Sequence, residues 1–219
     1  RARIYDYEAN DITNMLFSYQ SMLDLGFFGD SGDQLWALLL DSHGTIPITK
    51  VRTDHPGKSM TGSITVLNQV CYGIMPLDSI VYVVGSKHIE SYTYTGVEQS
   101  EVLVYGWTMQ DYLVEGSKVS FLMGTNQSDE YESPVSALWY IGSDDSQFRL
   151  SLPTGIMKAY MSENYVYAFT SQGIYVYEIG KSDRNFQKFS FEIIDVPAVV
   201  SGKAIIIQSA ENFYILPME

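Results

Sequence analysis

The chain has 219 residues, 46% of them hydrophobic, and sets 26 acidic against 13 basic residues for a net charge of −13. That length allows one large domain or two small ones, the apolar share excludes a disordered chain, and the acidic field disfavours direct binding to nucleic acid. No apolar run is long enough for a membrane-spanning helix, and the lone Cys71 excludes both a disulfide framework and a cysteine-rich zinc site.

Seventeen Tyr and ten Phe, with many Val and Ile, favour strands. Residues 11–25 are the exception: Met15, Leu16, Tyr19, Met22 and Leu23 share one face at helical spacing, with Asn10 or Asp11 as cap, and predict a short helix. Residues 26–33 are turn-rich. A buried strand follows over 35–40, turned by residues 41–44 into Ile46, Pro47 and Ile48. Because Pro47 cannot donate to a ladder, that second strand is expected at an edge or beside a bulge. Residues 52–62 are polar and breaker-rich, the best boundary in the chain. The sequence therefore divides into 1–58, an N-terminal segment with a short helix and a partial blade, and 59–219.

From Ser63 onward, short apolar strands alternate with tight polar turns. One hairpin recurs at residues 34–48, 79–95, 137–152, 164–177 and 203–216. Repetition of a hairpin is the signature of an all-β chain of the β-propeller type. Covered strands should read apolar throughout, as Ala204 to Ile207 do, whereas outer strands should alternate, as residues 186–191 nearly do. The turn centres near 43, 86, 144, 172 and 209 are spaced by 43, 58, 28 and 37 residues, against about 40–50 for a propeller blade. The uneven spacing predicts three to four four-stranded antiparallel blades, part of a larger ring. The absence of an initiator Met or signal-peptide pattern gives the same expectation of a segment from a longer protein.

Candidate sites are weak on their own letters. Gly29-Asp30-Ser31-Gly32 resembles the nucleophile turn of chymotrypsin-like proteases, but Asp33 and Gln34 replace the following Gly-Pro, and the motif is read as a turn. His43, His55 and His88 have no ligand spacing between any pair. Asp144 and Asp145, with Asp129, Glu130 and Glu132, offer carboxylates for glycoside hydrolysis but are read as solvated loops. Tyr165, Tyr167, Tyr175 and Tyr177 offer a ligand platform and are read as cross-strand packing. Cys71 is read as a small buried hydrophobe, and the triplet Asn126-Gln127-Ser128 leaves a glycosylation acceptor open. No residue is assigned a catalytic, cofactor or metal role.

The stretch from about Ser63 to the C-terminus resembles WD40-like propellers that lack the Trp-Asp signature. Within that group it is similar to the central propeller of the replisome adaptor family that binds DNA polymerase alpha. The resemblance rests on Phe148-Arg149-Leu150-Ser151-Leu152-Pro153, Val166-Tyr167-Ala168-Phe169-Thr170-Ser171, Ile174-Tyr175-Val176-Tyr177 and Val196-Pro197-Ala198-Val199-Val200. Phe148 stands where that family has Trp, and Val196 where it has Gly. What the resemblance implies is a non-enzymatic scaffold that holds protein partners in a larger replication assembly, without cofactor, without membrane and in the nucleus. From the residues alone, the lone cysteine fits an intracellular, reducing compartment. Two other readings accompany it. One is a carbohydrate-binding or glycoside-processing protein using Trp36, Trp107, Trp139 and the acidic loop at 129–132; the other is a viral or phage structural protein.

Overall fold

The computed structural model describes residues 8–10, 20–28, 34–41, 48–54, 60–66, 69–77, 80–93, 96–116, 118–125, 135–181, 185–200 and 204–218. All regular structure among them is β, and the chain forms two compact units, Arg1–Gly106 and Trp107–Glu219. The first unit holds two four-stranded meanders: β1 (Gln20–Phe28), β2 (Gln34–Asp41), β3 (Ile48–Asp54) and β4 (Met60–Val66), then β5 (Cys71–Leu77), β6 (Ile80–Gly85), β7 (His88–Thr93) and β8 (Glu98–Leu103). The second unit holds three. They are β9 (Thr108–Glu115), β10 (Lys118–Thr125), β11 (Val135–Ile141) and β12 (Gln147–Ile156); β13 (Lys158–Met161), β14 (Tyr165–Thr170), β15 (Gly173–Glu178) and β16 (Phe186–Ser190); and β17 (Asp195–Val200), β18 (Ala204–Ser209) and β19 (Asn212–Pro217). Every sheet pairs consecutive strands antiparallel, which is the meander of a propeller blade.

The repeat is more regular than the sequence turns suggest. Measured at the central hairpin of each sheet, between its second and third strands, successive midpoints lie 39 to 44 residues apart. The turn near 144 joins β11 to β12, the third and fourth strands of its sheet, so it is one hairpin out of phase. The matching central connection is residues 126–134, too long and polar to read as a tight turn. That slip produced the uneven intervals of 58 and 28.

The expected helix at 11–25 is corrected over its described part: residues 20–25 belong to β1, and 11–19 lie outside the described residues. The register against β2 shifts between Met22 and Asp24, leaving Leu23 as the extra residue of a bulge. A bulge breaks the two-residue alternation, so the apolar letters around it lose the period of a strand. The breaker-rich stretch at 52–62 runs between β3 and β4, whose residues Asp54 and Met60 pair directly. Pro47 lies outside the described residues.

In the second unit, the sheet β13–β16 is covered on both faces. Val166 and Ala168 of β14, with Tyr175 and Tyr177 of β15, pack against Leu122, Leu138 and Leu150 of the preceding sheet. Tyr167 and Phe169, with Ile174, turn the other way, toward Ile193, Val196, Ile205 and Ile207. Alternation of side chains to opposite faces requires this split. Burying each large apolar side chain contributes about 1.5–3 kcal/mol. Position within the meander then sets exposure: β10 and β11 are covered almost throughout, whereas β16 is exposed along its whole length. In the first unit, Ile64 of β4 joins Val81, Val83 and Tyr92 in a smaller core.

Two polar details fix the second unit. The carboxylate of Asp111 on β9 accepts the backbone N–H of Met161 on β13 at 2.8 Å, tying the first strands of neighbouring sheets. Burial pushes its carboxyl above the ordinary value of 3.8, partly offset by the Met161 and Tyr112 amides and by Lys158. The β14–β15 turn closes on Gly173, whose φ is +135°, and a Cβ there would collide with the carbonyl oxygen of Phe189 on β16. Buried Thr170 donates its hydroxyl to the Gly173 carbonyl at 3.0 Å and accepts from the Gln172 amide.

Gly173→Ala is therefore expected to cost about 3 kcal/mol in urea unfolding. Gly106→Ala, with φ of +82° but open space around it, should cost only about 1 kcal/mol. Equal losses would remove the steric argument. Asp111→Ala, which leaves the Met161 N–H without its acceptor, should cost about 1–3 kcal/mol, and Asp111→Asn clearly less. Because the folded chain holds the Asp111 carboxyl above its unfolded value, ionisation opposes folding. Wild-type stability measured against Asp111→Asn should fall as pH rises from below 3.8 through the raised pKa, and a difference independent of pH would contradict this.

Candidate functional site: an apolar groove beside an open strand edge

The strand β19 reads Asn-Phe-Tyr-Ile-Leu-Pro, apolar almost throughout, which is the pattern of a strand covered on both sides. Among the described residues it nevertheless lies at the edge of its sheet, paired only with β18. Phe213, Tyr214 and Ile215 are 67%, 51% and 73% exposed. The fourth strands of complete sheets, β8 and β16, are by contrast polar or mixed where they meet water. An unpaired edge carrying large apolar side chains is a template for another strand.

Beside this edge, two hollows flank Leu216. One, of about 350 Å³, lies over Tyr167, Ile174 and Val176 with Phe189 and Phe191 as its wall. The other, of about 440 Å³, is lined by Ile207, Tyr214 and Ile215 and shares Phe191 and Leu216 with the first. From Phe189 to Met218, the charged residues described are Glu192, Asp195 and Glu211, all acidic and exposed. Among the described residues, the groove lining carries no carboxylate, imidazole, amine or thiol, and its hydroxyls are those of Tyr165, Tyr167, Tyr214 and Ser209. What it offers is apolar burial beside a strand edge that no described strand pairs, in a stretch whose described charges are acidic.

The residues singled out from sequence do not converge. Asp144 and Asp145 form the β11–β12 turn: Asp144 accepts the Ser146 N–H at 3.1 Å and Asp145 takes a φ of +64°. The Ser146 hydrogen bonds hold the fully solvated Asp144 carboxyl below the usual range, opposite to what a general acid needs. Trp107 and Trp139 meet edge to face at 5.4 Å, and the Arg149 guanidinium lies over both rings at 5.4 and 4.9 Å. Trp139 is buried, so that pair is a packed cation–π cluster and not an open sugar platform. Trp36 lies on β2. The four tyrosines split between faces: Tyr165 and Tyr167 turn toward the groove, Tyr175 and Tyr177 toward the opposite core. Residues 29–33, His43, His55, the 126–128 triplet and the acidic loop at 129–132 lie outside the described residues. The groove depends on strands of two sheets coming together, which no single segment declares; the uniform apolarity of β19 is its signal in the sequence. His88 lies on β7, facing Glu90 and Glu101.

Compared with protein-family models and with curated proteins, the sequence matches none of either. Among solved structures, the chain is similar to the Neurospora crassa Pan2 WD40 domain, with a TM-score of 0.58 at 9% identity, covering 97% of this chain and 68% of that one. Weaker likenesses are to the AfRom2 CNH domain, with a TM-score of 0.49 at 10% identity over 98% of this chain and 73% of that one, and to the C-terminal WD40 domain of Sif2, at 0.40 and 8% over 95% and 71%. The first match, with the repeated four-stranded meanders, shows the fold: an all-β, WD40-like propeller architecture. The segments that carry the replisome resemblance lie on β12, β14, β15 and β17.

Cys71, on β5, is half-buried and donates weakly to the Gly73 carbonyl at 3.6 Å. Burial pushes its thiol up to about 11, with Glu90 adding to the effect against the Gly73 contact. Iodoacetamide at pH 8 should therefore modify the folded protein about tenfold or more slowly than the urea-unfolded chain. Equal rates, read by mass spectrometry, would show an exposed, ordinary thiol.

Proposed function

We propose that this chain is a non-enzymatic propeller scaffold that binds an extended segment of a partner protein along β19. The observation that carries the reading is the edge of β19, which no described strand pairs, with its exposed Phe213, Tyr214 and Ile215 beside the apolar groove. The occupant inferred is a strand with alternating apolar and basic side chains. Its backbone extends the β17–β19 ladder, its apolar residues enter the two hollows around Leu216, and its basic residues meet Glu192, Glu211 and the −13 field of the chain. Opposite charge raises the association rate, while the apolar anchors set the residence time.

The narrower reading places this scaffold inside the cell, in a nuclear replication assembly. It is supported by the four sequence segments similar to the polymerase alpha-binding adaptor family. The carbohydrate reading draws no support from the Trp107–Arg149–Trp139 cluster or from the Asp144 turn.

Ile215→Lys tests the proposal, since the residue is 73% exposed and the change should leave the fold intact. Proteins captured by the wild type from its native source, and cross-linked to it at β19, should be lost by about tenfold or more with the variant, whose added charge repels a basic strand and blocks apolar burial. Recovery of DNA polymerase alpha among them supports the replication reading. Identical capture by both proteins would overturn the β19 site. Glycan hydrolysis by the purified protein that disappears in Asp145→Ala would overturn the non-enzymatic scaffold.

A further inference from the structure

The strands β7 and β8 place two glutamates face to face: Glu90 pairs directly with Glu101 across the ladder. Like charges directly opposite one another destabilise a sheet unless something cationic lies between them. His88 precedes Glu90 by two residues and so projects from the same face of β7. Its ring sits against both carboxylates, Nε2 at 3.0 Å from Glu101 Oε1 and Nδ1 at 3.9 Å from Glu90 Oε1. One ligand atom from each of the three residues lies within 4.8 Å of the other two.

The second oxygen of Glu90 is already engaged. Its Oε2 accepts the Tyr92 hydroxyl at 2.8 Å, which fixes the carboxylate with Oε1 turned to His88. Such an outer partner is what orients a ligating carboxylate. Glu98, opposite Tyr92, adds a further negative charge that acts on Glu90. Half of the Glu101 side chain is exposed, so water reaches the cluster from one side.

We propose that His88, Glu90 and Glu101 form a binding site for a first-row divalent cation such as zinc or manganese, with water completing its coordination. One imidazole nitrogen and one oxygen from each glutamate are the donor set that such ions accept, whereas calcium and magnesium prefer oxygen alone. A four-coordinate zinc with bonds of about 2.0–2.1 Å spaces its ligands at about 3.4 Å, so Glu90 and Glu101, which face different ring nitrogens, close the site by drawing in on one nitrogen of His88. The ion cancels the Glu90–Glu101 repulsion and clasps the fourth strand of the sheet to the third.

The test is calorimetric titration of the intact protein with zinc chloride and, separately, with magnesium chloride. One zinc per chain is expected, with weak or no magnesium binding, and a melting temperature that rises with zinc as mass action requires. Glu101→Gln and His88→Gln, both at partly exposed positions, should each weaken zinc binding by about tenfold or more and abolish the thermal shift. Circular dichroism without metal checks that both variants remain folded. Absence of saturable zinc binding, or binding and thermal shift unchanged in the two variants, would overturn the site. In that event the cluster is an ion pair between His88 and the glutamates.

Discussion

The second unit depends on strands that are covered on both faces. Strands β13–β15 send alternate side chains into two different cores, so the small residues Val166 and Ala168 and the large residues Tyr167 and Phe169 serve opposite neighbours from a single strand. Neither face can be changed without regard to the other, because a shift of register by one residue would exchange the two sets. The turn at Gly173 pins that register. A residue with a side chain would be forced into the Phe189 carbonyl, and buried Thr170 closes the loop on itself. The path of one backbone bond pair thus decides which core each aromatic ring enters.

Polar groups are used where strands of neighbouring sheets come close. Asp111 accepts from Met161 across such a junction; within one sheet, Ser120 on β10 accepts both the Tyr140 hydroxyl of β11 and the Ser143 amide of the β11–β12 turn at 3.2 Å. Both polar groups sit among apolar side chains and are tolerated because they are hydrogen-bonded. At the outer strands the balance reverses, and β16 faces water along its length. The strand β19 departs from that rule, combining an inner strand's composition with an outer position.

Much of the fold could be read from the letters. The hairpins at 79–95, 164–177 and 203–216 coincide with β6–β7, β14–β15 and β18–β19, because tight turns and continuous apolar runs are local signals. The bulge at Leu23 was not legible, since it depends on the pairing of β1 with β2 and breaks the period of a strand. The phase of the third repeat was lost because its central connection is long while its outer turn, at Asp144, is tight and rich in turn residues. Clusters were harder still. His88 and Glu90 stand two apart in sequence, but Glu101 joins them only through the β7–β8 register. The groove beside Leu216 needs four strands, β14, β15, β16 and β19, brought together from two sheets, which no single segment declares.

The two-sided sheet also determines how failure spreads through the unit. Loss of β17–β19 would uncover one face of β13–β16 and leave the packing of Val166, Ala168, Tyr175 and Tyr177 in place. Loss of β13–β16 would strip both neighbours at once. Cooperativity in such a stack is unequal: either flanking sheet can open and leave the other face of β13–β16 covered, while the middle sheet opens only with the packing on both sides. β19, with its exposed apolar side chains, thus belongs to a sheet that covers one face of β13–β16 and can open without uncovering the other.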